Sequence, residues 1–196
     1  MLTRKGAATR HRIVVGAAEQ MREHGPANVG LDDIRAATST SKSQLFHYFP
    51  DGKAELLLAV ARYEAEQVLV EQQPMLGDLT TWDQWEAWRQ RVVERYELQR
   101  RRCPLTALTA LLGLADPAVR TIITELYERW HGYVAEGVRA LRDGGLIDAR
   151  IDPDTSAVEI LTAISGGATM LQATDRIDYL DISLREVING LRRPVV

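Results

Sequence analysis

Apolar positions along this chain recur at intervals of three and four and nowhere alternate, a pattern that predicts helices and no strands. Ile13, Ala17 and Met21, with Val14 and Ala18 beside them, form a stripe that predicts a first helix over 9–24, stopped by Gly25-Pro26. Leu31, Ile34 and Ala37 predict a short second helix. Ser and Thr fill positions 38–41, and Leu45 and Phe49 then repeat four apart in a third helix that Ser41 can cap, so that it starts at Lys42. From about Lys53 to Gln73, Leu56, Val60 and Tyr63 share one side with Leu57, Ala61 and Val68 next to them, which predicts one long helix. Pro74 to Thr81 reads as a loop. Five more helices follow over 82–100, 104–113, 117–143, 153–175 and 179–192, three of them opening at Pro104, Pro117 and Pro153, and Gly144-Gly145 ends the longest. Met1 to Ala8 has no periodicity and carries Arg4 and Lys5; it reads as a disordered tail or as a phosphate-contacting arm.

The fold class is therefore all-α, with about nine helices, and 196 residues suffice for one or two packed domains. No apolar run is long enough to span a membrane and no secretory leader is recognisable at the N-terminus, so a cytoplasmic protein is expected. The single cysteine, Cys103, cannot form an intrachain disulfide. Net charge is −3, but it is divided unevenly: residues 1–50 hold seven Lys/Arg against four acids, a net of +3 that leaves −6 for the rest. Positive charge thus gathers in the N-terminal segment that contains the two short helices, as phosphate binding requires.

On the third helix, Lys42, Ser43, Gln44, His47 and Tyr48 face outward. All can donate hydrogen bonds, which suits base edges and phosphates in a major groove, although a polar surface helix would look the same. The run TSKSQLFHYF followed by PDGKAELL resembles the DNA-binding module of the TetR family of bacterial transcriptional repressors. Ser41, Lys42, Leu45, Phe46, Tyr48, Phe49, Lys53 and Leu56 carry the resemblance, which covers about the first sixty residues. The family usually has Thr or Ser before helix 2, Ala after its central Ile and Gly-Val in the turn, where this chain has Gly30, Arg35 and Ser39-Thr40.

The resemblance implies a helix-turn-helix DNA-binding domain over 1–50, and a helical ligand-binding and dimerisation domain over 51–196 entered through a long linking helix. It also implies a homodimeric repressor released from a double-stranded, pseudo-palindromic operator by a small organic inducer. Ser43, Gln44 and Phe46 are expected at bases, Lys42, His47, Tyr48 and Lys53 at phosphates, with Thr40 and Ser41 at the margin. In the C-terminal half the resemblance is loose, resting on helix number and on Arg101-Arg102-Cys103-Pro104-Leu105.

Aromatic rings with polar tips suit a pocket for an amphipathic molecule, so Trp85, Trp88, Tyr127, Trp130, Cys103 and Met170 are the expected ligand site. Thr106, Thr109, His131, Thr162 and Gln172 are candidate polar anchors. Cys103 precedes a helix start, a position open to redox sensing or to simple packing. Ser165-Gly166-Gly167-Ala168 weakens a helix unless another helix approaches closely there or the helix kinks. On the first reading, the resemblance to TetR-like proteins, whose last two helices pair with their symmetry mates in a four-helix bundle, implies that Ile160, Ile164, Ala168, Leu171, Leu184, Val187, Ile188 and Leu191 form the dimer interface.

Enzyme signals are weak. Gly25 to Gly30 has phosphate-loop spacing, but Leu31-Asp32 stands where Lys-Ser/Thr is needed. Glu128 and His131 have the spacing of a di-iron ligand pair without a second such pair, and there is no nucleophile elbow. No enzyme, metal or cofactor is expected. The competing reading is a helical-bundle carrier of a small molecule without DNA-regulatory activity.

Overall fold

The computed structural model describes residues 3–100 and 103–193. Among them the secondary structure is nine α-helices and one 3-10 turn, without strands: α1 (Arg4–His24), α2 (Leu31–Ala37), α3 (Lys42–Tyr48), α4 (Lys53–Val70), the turn Met75–Gly77, α5 (Trp82–Gln99), α6 (Pro104–Leu112), α7 (Pro117–Asp143), α8 (Pro153–Thr174) and α9 (Asp178–Gly190). The helix starts follow local chemistry. Thr81 Oγ1 accepts the Gln84 N–H to open α5, and an Asp152 carboxylate oxygen accepts the Thr155 N–H at 2.7 Å to open α8 ahead of Pro153. Such caps typically contribute about 1 kcal/mol each.

α1 begins five residues earlier than periodicity predicts. Thr3 Oγ1 accepts the Gly6 N–H at 3.1 Å, and this cap starts the helix at Arg4, so the described part of the expected tail is helical. Met1 and Leu2 lie outside the described residues.

Two compact units divide the chain, Met1–Val68 with Arg102–Thr124, and Leu69–Arg101 with Glu125–Val196. The expected boundary near residue 50 is not where the packing divides: most of α4, all of α6 and the first turns of α7 belong with the helix-turn-helix.

In the first unit, Ile13, Ala17, Ile34, Leu45, Phe49, Leu56 and Val60 are fully buried and weld α1 to the two short helices and α4. Each such Leu, Ile or Phe contributes about 1.5–3 kcal/mol by leaving water. Gly16 leaves room for its neighbour, since a Cβ there would lie 2.4 Å from Thr38 Cγ2. Arg22 Nη2 reaches the buried Glu64 carboxylate at 2.9 Å, pairing α1 with α4.

In the second unit, α8 packs on α9 with backbones nearly touching: a Cβ on Gly167 would lie 2.5 Å from Leu180 Cα. Ile160, Ile164, Leu171 and Leu184 are fully buried, Ala168, Ile188 and Leu191 nearly so, and Val187 is half-buried. Apart from Val187, the side chains expected at a dimer interface are thus core of the single chain. The small-residue stretch does admit a close helix, but at Gly167 that helix is α9 of the same chain. Gly166 points the other way, with no atom within 4 Å of a Cβ built there.

Candidate functional site

α3 is a seven-residue helix held from one side. Leu45 and Phe49 are buried, Ser41 Oγ accepts the Gln44 N–H at 3.1 Å, and Gln44 Oε1 accepts the Ser41 N–H at 3.2 Å, a reciprocal cap. With Leu45 inward, helical geometry puts Ser43 and His47 at the centre of the opposite face, Lys42 and Phe46 on one flank and Gln44 and Tyr48 on the other. Lys42, Ser43, Gln44, Phe46 and His47 are exposed and Tyr48 is half-buried, its ring edge-on to His47 at 4.9 Å. Lys53 opens α4 nearby in the chain, and neither Lys42 nor Lys53 has an ion-pair partner among the described residues. The face therefore offers unpaired positive charge and hydrogen-bond donors together, over a hydrophobic underside that fixes its position.

The turn ahead of α3 corrects one expectation. Ser39 takes a left-handed conformation, φ 48°, normally left to glycine. Thr38 Oγ1 donates to the Ile34 carbonyl at 2.7 Å and lies 2.8 Å from Thr40 Oγ1, which donates to the Thr38 carbonyl at 3.2 Å. Arg12 Nη1 donates to the same carbonyl from α1. Thr40 is 5% exposed, its hydroxyl already used inside the turn, so it shapes the site without being on its surface. Ser41 remains exposed.

The aromatic cluster separates into two kinds of residue. Trp85 and Trp88 are fully buried and edge-on to each other at 5.6 Å, with Trp85 Nε1 donating to the Leu79 carbonyl at 3.0 Å and Trp88 Nε1 to Gln72 Oε1 at 2.7 Å. With both polar tips satisfied, they are core residues, and neither lines the grooves that Tyr127 and Met170 border. Cys103 belongs to the first unit, half-buried, and the other five expected ligand residues to the second. Trp130 is buried with its Nε1–H unpaired, and Tyr127 stacks on it at 6.2 Å.

Tyr127 leads to an open groove of 720 Å³ between α7 and α8, lined also by Glu128, His131, Val158, Leu161, Thr162, Ser165, Gly166 and Thr169. The Tyr127 hydroxyl lies 2.8 Å from Ser165 Oγ, which donates to the Leu161 carbonyl, and His131 Nε2 sits 3.2 Å from the Asp154 carbonyl. Met170 lines a second groove between α8 and α9 with Tyr179 and Ser183; Val158, Thr162 and Gly166 border both. Sequence reasoning named His131 and Thr162 among the anchors but missed Glu128, Val158 and Ser165. Their signal, exposure at a spacing of three and four on α7 and α8, is legible only once the inward face is known. Among the described residues no group of His, Cys, Asp and Glu is placed to hold a metal ion, and no helix is long and apolar enough to cross a membrane.

The family model of bacterial regulatory proteins, tetR family, matches residues 13–60, and that of the tetracyclin repressor-like C-terminal domain matches residues 82–187. The chain belongs to the TetR family. An uncharacterized helix-turn-helix-type transcriptional regulator of Mycobacterium tuberculosis is 24% identical, with 93% of each chain covered. A TetR transcriptional regulator from Chloroflexus aurantiacus has the same fold, with TM-score 0.77, 23% identity and 98% of each chain covered. A transcriptional regulator from Saccharomonospora viridis, solved in complex with choline, matches with TM-score 0.68 and 22% identity over 93% of this chain and 96% of that one. This TetR-family chain is a transcriptional regulator of helix-turn-helix type, a family whose function is regulatory and not enzymatic.

Proposed function

We propose that this TetR-family regulator is a homodimeric repressor that binds a pseudo-palindromic operator through α3 and leaves it when a small amphipathic molecule binds the second unit. The observation that carries the DNA reading is the exposed, donor-rich face of α3, flanked by the unpaired Lys42 and Lys53 in a segment of net positive charge. Ser43, Gln44 and Phe46 meet base edges; Lys42, His47, Tyr48 and Lys53, with Ser41, meet phosphates. Two copies related by a two-fold axis require two half-sites separated by one or more helical turns.

For assembly, the outward stripe of α8 and α9 replaces the buried set: Val158, Thr162, Gly166, Met170, Tyr179 and Ile182 are exposed, largely apolar or small, and set at helical spacing. For the inducer, the α7–α8 groove has an apolar floor with Glu128, His131 and Ser165 at its rim, and Tyr127 separates it from the unpaired Trp130 Nε1–H. A related regulator holds choline; the Glu128 carboxylate and the Tyr127 ring at this groove are compatible with a cationic amphiphile here.

The experiment is selection of duplexes from random and genomic pools by the purified protein, followed by anisotropy titration at several salt concentrations. The expected result is a two-fold-symmetric sequence whose binding falls steeply with salt. Failure to enrich any sequence rejects the operator reading.

A further inference from the structure

An open notch lies just ahead of the reading helix, lined by Asp32, Arg35, Ala36, Ser39, Thr40 and Ser41. Arg35 is the one cation on its wall. Its Nη1 donates to an Asp32 carboxylate oxygen at 2.6 Å, while its Nε–H is shielded from solvent with no acceptor. Asp32 itself is 90% exposed, so the pair sits between two residues of a short helix with one partner almost wholly in water. Such a pair is weakly held. In the free protein the guanidinium is thus held through a single oxygen of an exposed carboxylate, and its Nε–H has no acceptor. A phosphate presents several anionic oxygens and takes adjacent guanidinium N–H groups as a fork, which a monodentate carboxylate does not do here.

We propose that Arg35 is a phosphate-gripping residue and Asp32 its internal competitor. On docking, the Arg35 guanidinium exchanges the Asp32 carboxylate for a DNA backbone phosphate, with the exposed Ser39 and Ser41 beside it. Asp32 returns to solvent. The inference rests on α3 being the helix that lies on the duplex, and it adds a contact from α2 that reads no base.

The test uses the full-length protein and a duplex that the wild type selects from a random pool, titrated by fluorescence anisotropy between about 50 and 200 mM salt. Arg35→Ala is expected to weaken selected and scrambled duplexes alike, by about tenfold, and to flatten the log–log salt slope by about 0.9, the value for one phosphate. Arg35→Lys keeps the charge without the fork and should retain the slope while losing part of the affinity. Asp32→Asn should tighten binding several-fold in the wild type and do nothing in the Arg35→Ala background, because the competitor then has nothing to occupy. An unchanged slope and affinity in Arg35→Ala overturns the proposal, as does a loss that follows only a fall in its thermal midpoint. Equal gains from Asp32→Asn in both backgrounds mean simple repulsion and overturn the competitor role. A wild type that retains no duplex at all overturns the α3 reading and this inference together.

Discussion

Single residues at the interface do two jobs, and mutations must separate them. Gln44 stands on the reading face, yet its Oε1 also closes the cap of α3. Gln44→Ala would remove both, so a change in DNA preference would be ambiguous. Gln44→Glu keeps an acceptor for the Ser41 N–H while replacing the amide donors. It should leave helicity by circular dichroism unchanged and shift the selected base at one position, towards cytosine if the carboxylate accepts from the exocyclic amine. An unaltered selected sequence would remove Gln44 from the readers. Lys53→Ala, by contrast, should weaken all duplexes alike. Gly16 and Thr38 form a second coupled pair. Ala at 16 is favoured by helix propensity by about 1 kcal/mol, but its Cβ would meet the Thr38 methyl at 2.4 Å. Gly16→Ala alone should lower the thermal midpoint and weaken DNA binding by displacing the turn. Thr38→Ser removes the methyl and keeps the hydroxyl that bonds Ile34, so the double variant should recover both. Additive losses in that double-mutant cycle would refute the coupling.

At the scale of elements, the helices are legible because a buried face imposes its period on the sequence, and α3 starts at Lys42 as its Ser41 cap predicts, although it ends at Tyr48 with Phe49 as its non-helical cap. The start of α1 was hidden because Arg4 to Ala8 has no apolar stripe to read; its signal is the Thr3 cap. Burial itself misled on α8 and α9. A hydrophobic face says that something covers it, not which chain does, and Ile164 and Leu184 are covered by their own unit. The two adjacent glycines show the distinction. Gly167→Ala places a Cβ 2.5 Å from Leu180 Cα and should separate α8 from α9, a destabilisation of about 1–3 kcal/mol, or a fall of roughly 2–12 °C in thermal midpoint. Gly166→Ala faces open space within the chain and should stabilise the isolated subunit by about 0.5–1 kcal/mol. Equal effects at the two positions would contradict the assignment of inward and outward faces.

For the whole molecule, assembly, DNA binding and ligand binding are one linked equilibrium. If the outward stripe of α8 and α9 joins two copies, Ile182→Glu or Met170→Glu should give folded monomers by sedimentation, with operator affinity sharply reduced because each half-site then has one subunit's phosphate contacts. Ile164→Glu, buried in the core, should instead unfold the second unit. A wild type that is monomeric at micromolar concentration would exclude the dimer. Ligand response adds a reciprocity that no single measurement can fake: the factor by which an inducer weakens operator binding must equal the factor by which operator weakens inducer binding. Typical couplings of about 1–3 kcal/mol correspond to roughly 5- to 150-fold. α4 and α7 each have residues in both compact units, so each is a continuous stretch of chain along which that coupling can run. Trp130, behind Tyr127 with its N–H unpaired, makes the test optical. A compound entering the α7–α8 groove should quench tryptophan emission saturably and release labelled operator over the same range, after correction for competition. Tyr127 lines the groove and Trp130 lies buried behind it, so Tyr127→Ala keeps the reporter and should weaken that compound several-fold while leaving operator affinity within about twofold. Compounds that bind the groove tightly yet never shift operator affinity would separate the groove from regulation, since a ligand with equal affinity for both states moves nothing.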